Sequence, residues 1–389
     1  MGIYLDPGKD KYEIADDSEI FVQKTAEKTK SGRTPYLEAL RIIAVLYVIF
    51  IHTGRRGNFL YLERPVGGPA FWIYMFISIY GQFCVPVFLA VSGAVLLGRD
   101  DEPVGSWLKR VFRALIILVV YSFAYYVRDV RKFEELAFSW SYFFTRLYSQ
   151  VIKYHLWYLY VYIVYLLTLP LLRAMVRGLK DRYFYYVFGA AVVMNGIIPC
   201  AEYCLFKGEV TLSSYKSSLW FVINIVLYPC MGYFIHNRMK ILPRKRTIAI
   251  LWIANLAGVI VSCLMTNYYA VVSGTYDESI QAPFYASFVM LNSVAMFITV
   301  KAVFESVKLS RLTNTAIISL GKCTFGIYLL HVFFLETPRI SDIYEMITSR
   351  GVNEMIAAWI LCICIFLMCY AATLILSLIP WIRKLVGFK

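Results

Sequence analysis

The residues best suited to chemistry in this chain are a few arginines and four histidines set among apolar runs. Arg41 and His52 share the first long apolar segment, which reads Tyr36-Leu-Glu-Ala-Leu-Arg41-Ile-Ile-Ala-Val-Leu-Tyr-Val-Ile-Phe-Ile-His52. A guanidinium and an imidazole are costly in hydrocarbon, so an apolar helix that keeps both is by default a site hypothesis. At about 1.5 Å rise per residue they stand about 16 Å apart, roughly half the thickness of a bilayer core. Neutral imidazole, with an ordinary pKa near 6.5, can accept a proton at physiological pH. Arg110 and Arg113 are three apart and share a helix face. Arginines at a membrane-embedded helix start can grip phosphate oxygens bidentately. Anchoring by positive charge at the inner face is the plainer account of such a pair, and the two are compatible. In Cys84-Val-Pro-Val-Phe-Leu-Ala-Val-Ser92-Gly93, Pro86 loosens a helical turn. Ser92-Gly93 lets a backbone or a ligand come close, and helix packing alone explains it equally well. His155-Leu-Trp157 and Tyr328-Leu-Leu-His331 complete the set. Glu38, three residues before Arg41, is placed as that arginine's partner, and Lys322 as a residue that snorkels to the inner face.

The elements that must position these residues follow from composition. Of 389 residues, 60% are hydrophobic and 16% charged, which describes a polytopic, all-α membrane protein and not a soluble domain. The net charge of +14 lies in short clusters between apolar runs, a pattern of membrane topology and not of a groove for nucleic acid. Runs of about 20 apolar residues predict ten spans in one bundle, near 36–53, 71–97, 107–127, 154–173, 183–200, 218–235, 247–267, 284–304, 314–335 and 354–380. Connections on the side of the N-terminus hold 25 lysines and arginines against 12 on the other, so both termini are predicted to be cytoplasmic. Residues 1–34 read as a disordered polar tail, not a signal peptide, and residues 35–389 as one integral domain. The connection 128–153, with Phe138, Trp140, Tyr142, Phe143 and Phe144, reads as an interfacial or re-entrant segment. The nine cysteines show no CxxC pair or metal-ligand spacing, so no metal is expected. On this topology His52, His155 and His331 share the outer membrane half, and His236 falls on the cytoplasmic side.

Arg41-x10-His52, Pro-Val-Phe-x3-Ser92-Gly93, Arg110-x-x-Arg113, His155-Leu-Trp157 and Tyr328-Leu-x-His331 occur in the order that resembles the acyltransferase-3 family. The resemblance runs over roughly residues 34 to 380. It implies an integral membrane enzyme that moves acetyl or another acyl group from a cytoplasmic acyl-CoA to a hydroxyl of a carbohydrate or lipid-linked glycan of the cell envelope. Ala94 departs from the aromatic residue that often follows Ser-Gly in the family, which touches a packing role there but not the identity of the helix. Since the chain stops shortly after its tenth span, the soluble esterase-like domain of some longer members is not expected.

The resemblance implies His52 as general base, by direct transfer or through an acyl-histidine, with Arg41, Arg110, Arg113 and Ser92 on the donor. His331, Tyr328, Trp157 and His155 become candidates for holding the acceptor or the developing oxyanion. A proton-coupled transporter or flippase is the competing reading, because intramembrane charge also marks transport. Transporters, however, often show paired repeats, and none is found here. A membrane sensor without chemistry leaves the order of the motifs unexplained.

Overall fold

The computed structural model describes residues 33–100, 102–133, 137–209 and 226–387. The expected tail lies outside the described residues up to position 32, and the sixth expected span lies outside them up to position 225. Among the described residues the chain is helical and has no strand. The helices are α1 (Pro35–Ile51), α2 (Pro69–Tyr80), α3 (Cys84–Leu96), α4 (Val104–Lys132), α5 (Trp140–Ser149), α6 (Trp157–Gly178), α7 (Asp181–Val192) and α8 (Ile198–Phe206). After a helical stretch at 226–233 come α9 (Lys245–Ser273), α10 (Val289–Ser306), α11 (Arg311–Leu335), α12 (Pro338–Thr348), α13 (Glu354–Ser377) and α14 (Pro380–Leu385).

Eight helical stretches among the described residues are long and apolar enough to cross a membrane. The 17-residue α1 and the described stretch from 226 that continues into Phe234–Arg238 fall at the other two expected segments without reaching that standard, so eight of the ten expected spans meet it among the described residues. The molecule is an all-α polytopic bundle. Helices α4 and α9, with 29 residues each, reach about 43 Å and outrun a hydrocarbon core of about 30 Å. Their charged ends, Arg131 and Lys132 on α4 and Lys245 and Arg246 on α9, therefore have room to reach water.

Helix α1 lies at the centre, packed on α3, α10, α11 and α13, and α11 in turn packs on α13. Leu40, Ala44, Val45, Ile49 and Phe50 of α1 are fully buried, so the helix that carries Arg41 and His52 is held on several sides. Helix α4 pairs with α6, where the Trp107 indole donates to the Leu166 carbonyl at 2.7 Å. Tyr125 of α4 donates to the Leu329 carbonyl of α11 at 2.9 Å.

Two prolines account for two irregular turns. Pro86 cannot donate to the Gln82 carbonyl and its ring crowds that group, and a 3-10 turn at Gly81–Phe83 sits there between α2 and α3. Pro199 does the same to Asn195, inside the π turn Val193–Ile197 that joins α7 to α8. Gly93 answers the open question about Ser92-Gly93. A Cβ there would stand 2.0 Å from the Pro229 carbonyl oxygen, and one on Gly232 would stand 1.8 Å from the Ala90 oxygen. Two backbones cross at this point, and only hydrogen fits between them.

The aromatic connection folds as α5, capped by the Ser139 hydroxyl accepting from the Tyr142 N–H. It buries Phe143 while Trp140, Tyr142, Phe144 and Tyr148 stay exposed, the amphipathic pattern of a helix lying at an interface.

Candidate active site

His52 caps the C-terminal end of α1, His155 sits in the short turn Tyr154–Leu156 that opens α6, and His331 lies one turn from the end of α11. The antiparallel bundle brings these three ends together. His331 Nε2 is 3.0 Å from His52 Nδ1, and its Nδ1 is 2.6 Å from the Tyr328 carbonyl oxygen. The His155 ring stands edge-on to His331 at 5.1 Å and to His52 at 6.4 Å between centroids. His155 and His331 are buried, and the His155 ring has the Leu329 carbonyl as its backbone neighbour. His52 alone is half-buried, beside the 46% exposed Tyr154, whose ring is 5.1 Å away. Of the three imidazoles, it is the one an outside molecule can reach.

Aromatic side chains pack around the three imidazoles. Tyr328 donates to the His155 carbonyl at 2.6 Å, which ties α11 to the start of α6. Tyr125 packs on His155 at 4.9 Å and stacks on Phe333 at 4.0 Å. Just beyond the histidines, Lys153 bridges Asp129 at 3.2 Å and Glu336 at 2.9 Å, and Arg128 reaches Glu336 at 3.3 Å.

The arginines gather at the opposite ends of the same helices. Arg41 binds Glu38 Oε1 at 2.6 Å, and Arg33 binds the same oxygen at 3.0 Å. Gly321 leaves room for the buried Glu38, since a Cβ there would lie 2.4 Å from its carboxylate. Arg110 pairs with Glu102 at 2.8 Å, and buried Arg173 pairs with the other oxygen of Glu102 at 3.3 Å while donating to the Leu96 carbonyl. Arg99 interacts electrostatically with Arg110, Arg173 and Glu102. Arg113, in contrast, is exposed and has no ion pair among the described residues. The pair expected to act together is therefore split: Arg110 belongs to the cluster and Arg113 faces away from it.

A column of tyrosines joins the two ends. Tyr162 feels the charges of Arg110, Arg41 and Arg99, stacks on Tyr158 at 6.0 Å, and Tyr158 meets Tyr328 at 5.5 Å. Tyr328 in turn stands 5.8 Å from His155 and 6.1 Å from His331. Ser92 donates to the Phe88 carbonyl at 3.0 Å and lies against the Tyr158 hydroxyl. Trp157 is turned outward, 38% exposed, and His236 stands apart, bonded to Tyr36 at the start of α1.

Arg99, Glu102, Tyr125, Tyr154, Tyr158, Tyr162 and Arg173 escaped the sequence reading. Tyr158, Tyr162 and Tyr165 recur at helical spacing after His155 and could have been read as one face. The partnership of Glu102 with Arg173 had no local signal. Among the described residues no group of three or more His, Cys, Asp or Glu side chains is placed to hold a metal ion.

An imidazole cluster at one end of the bundle and a cationic cluster at the other define a polytopic membrane protein with ionisable centres, the kind of site that membrane enzymes and transporters keep. The Acyl_transf_3 family, described as an acyltransferase domain, matches residues 34–381, and the chain belongs to that family. It is an acyltransferase. Comparison with curated proteins and with solved structures finds no significant match.

Proposed function

We propose that this acyltransferase moves an acyl group, with acetyl the first candidate, from cytoplasmic acyl-CoA to a hydroxyl of an envelope carbohydrate or lipid-linked glycan, with His52 as general base. The observation that carries the reading is the tyrosine column between the arginine cluster and the reachable His52. Arg41 and His52, one at each end of it, are separated by the about 16 Å that eleven helical residues span. A donor with phosphates at one end and a thioester at the tip of a long arm matches that layout.

In this reading Arg41, Arg99 and Arg110 hold the phosphates by charge-assisted hydrogen bonds. The faces of Tyr162, Tyr158 and Tyr328 flank the arm. His52 takes the proton from the acceptor hydroxyl as its oxygen attacks the thioester carbonyl. The new C–O bond forms, the C–S bond breaks, and His52 returns its proton to the departing thiolate. A base in this role contributes about 10²- to 10⁴-fold to the rate. On this reading the protein lies in the plasma membrane with both termini cytoplasmic, which the lysine and arginine asymmetry of the connections supports.

The test is thiol release by purified protein in lipid nanodiscs given acetyl-CoA and a candidate glycan. His52→Ala should slow transfer at least about 100-fold while donor affinity stays near wild type. Undiminished release by His52→Ala would sink the base assignment. A wild-type protein that binds no acyl-CoA would favour the transport reading.

A further inference from the structure

We propose that His331 is a positioning residue: it holds His52 in the tautomer with hydrogen on Nδ1 and so turns the lone pair of His52 Nε2 towards the acceptor hydroxyl. The proposal rests on His52 being the base, and it accounts for why a second, buried histidine is bonded to the first.

The argument follows from which atoms can donate. The Tyr328 carbonyl oxygen accepts only, so His331 Nδ1, 2.6 Å away, carries a hydrogen. In a neutral ring that leaves Nε2 unprotonated. This nitrogen faces His52 Nδ1 at 3.0 Å, so His52 Nδ1 carries the hydrogen of that contact and donates it. The second nitrogen of neutral His52, Nε2, is then a free acceptor. The alternative is a doubly protonated His331 donating to His52, which would leave His52 with hydrogen on Nε2 and no base. His331 is fully buried, and its electrostatic partners among the described residues are His52, His155 and the carbonyls of Tyr328 and Ile327, with no carboxylate among them. An unpaired imidazolium there would carry a large desolvation cost, so the neutral form prevails.

Both nitrogens of His331 are thus engaged, and it does not touch substrate. Of the neighbouring groups, the Val48 carbonyl also accepts from the His52 ring and shares in orienting it, while Tyr328 spends its hydroxyl on the His155 carbonyl and the His155 ring turns to the Leu329 carbonyl. When His52 takes up the acceptor's proton at Nε2, its Nδ1–H still points at the His331 lone pair, which stabilises the imidazolium. The carbonyl behind His331 cannot take a proton, so the relay ends there and the proton remains on His52 for return to the thiolate. A carboxylate behind the histidine of a serine-protease triad has the same orienting function, and upsetting the tautomer there lowers turnover about 10⁴-fold.

Two measurements test this. The first is kinetics in nanodiscs with acetyl-CoA and the best glycan acceptor. His331→Leu, which cannot accept a hydrogen bond, should lower kcat about 100-fold or more and leave the donor's dissociation constant unchanged. His331→Gln, whose amide oxygen can accept from His52 Nδ1, should recover at least about tenfold of that loss. The second is the ¹⁵N ring spectrum of histidine-labelled protein, simple to assign by substitution because the chain has four histidines. It should show His52 protonated at Nδ1 in the wild type and shifted towards Nε2 protonation in His331→Leu. Wild-type turnover in His331→Leu, a glutamine variant as slow as the leucine variant, or wild-type His52 protonated at Nε2 would each overturn the proposal. Failure of the base reading is separable, because it appears as full activity in His52→Ala whatever His331 does. If His331→Leu does not fold, the glutamine variant and the wild-type spectrum still decide.

Discussion

Arg110 and Arg113 lie three residues apart on α4, yet one is paired with Glu102 and the other is exposed without an ion pair among the described residues. Helical spacing alone puts them on a common face. Neighbours decide what each can bind, because the Glu102 carboxylate gathers Arg110 and Arg173 while Arg113 points away. Arg110→Ala is expected to weaken acyl-CoA binding about tenfold, the equivalent of about 1.4 kcal/mol and in keeping with one charge-assisted hydrogen bond. Arg113→Ala should change it by less than about twofold. Glu102→Gln removes the negative charge from the cluster, so donor binding should tighten and its dependence on salt should steepen. Isothermal titration in nanodiscs at two ionic strengths reads all three. Equal losses for Arg110→Ala and Arg113→Ala would show that anchoring, and not a donor grip, explains the pair. Arg41 was legible from the chain because Glu38 stands one turn before it. Arg173 was not, since its partner lies far away in sequence and its buried place depends on α6 packing beside the end of α3.

The crossing of α3 with the helical stretch at 226–233 has no side chain between its backbones, and everything near Ser92 depends on that closeness. Gly93→Val and Gly232→Val each drive a side chain into a carbonyl. Overpacking costs about 1–3 kcal/mol where side chains can shift, and backbone cannot. Either variant should therefore lose at least about 3 kcal/mol or fail to assemble, visible as a large fall in melting temperature in detergent. Gly105, early in α4, is the control: a Cβ there meets nothing within 4 Å, so Gly105→Ala should stabilise by roughly 0.5–1 kcal/mol. The ionic bridge from Lys153 to Asp129 and Glu336 fastens the start of α6 to α4 and α11 just above the histidines. Lys153→Met takes from Asp129 its partner and leaves Glu336 to Arg128, at a cost on the order of 1–2 kcal/mol. It should lower the melting temperature by a few degrees without altering donor affinity. The Ser-Gly pair was visible in the sequence, but which backbone would fill the space depended on a partner more than a hundred residues on.

At the scale of the molecule, the proposed chemistry requires the arginine end and the histidine end to face opposite sides of one membrane. The charge asymmetry of the connections predicts which is which. In a Cys204→Ser background, Ser149→Cys at the end of α5 should react with a membrane-impermeant thiol reagent in intact cells. Ser306→Cys at the end of α10 should react only after permeabilisation, and the reverse pattern would invert the orientation and remove the cytoplasmic donor from the arginines' reach. The sequence by itself determined the helical class, because apolar runs of bilayer length leave the backbone no other way to satisfy its hydrogen bonds. It also determined the axial distance between Arg41 and His52, because both sit on one helix with a fixed rise. The tertiary structure alone decided that His331, 279 residues after His52, would come within hydrogen-bond distance of it. It likewise decided that Glu102 would hold Arg110 and Arg173. Periodicity says which residues share a face of one helix. It carries no information on which faces meet, which is set by how all the helices pack at once.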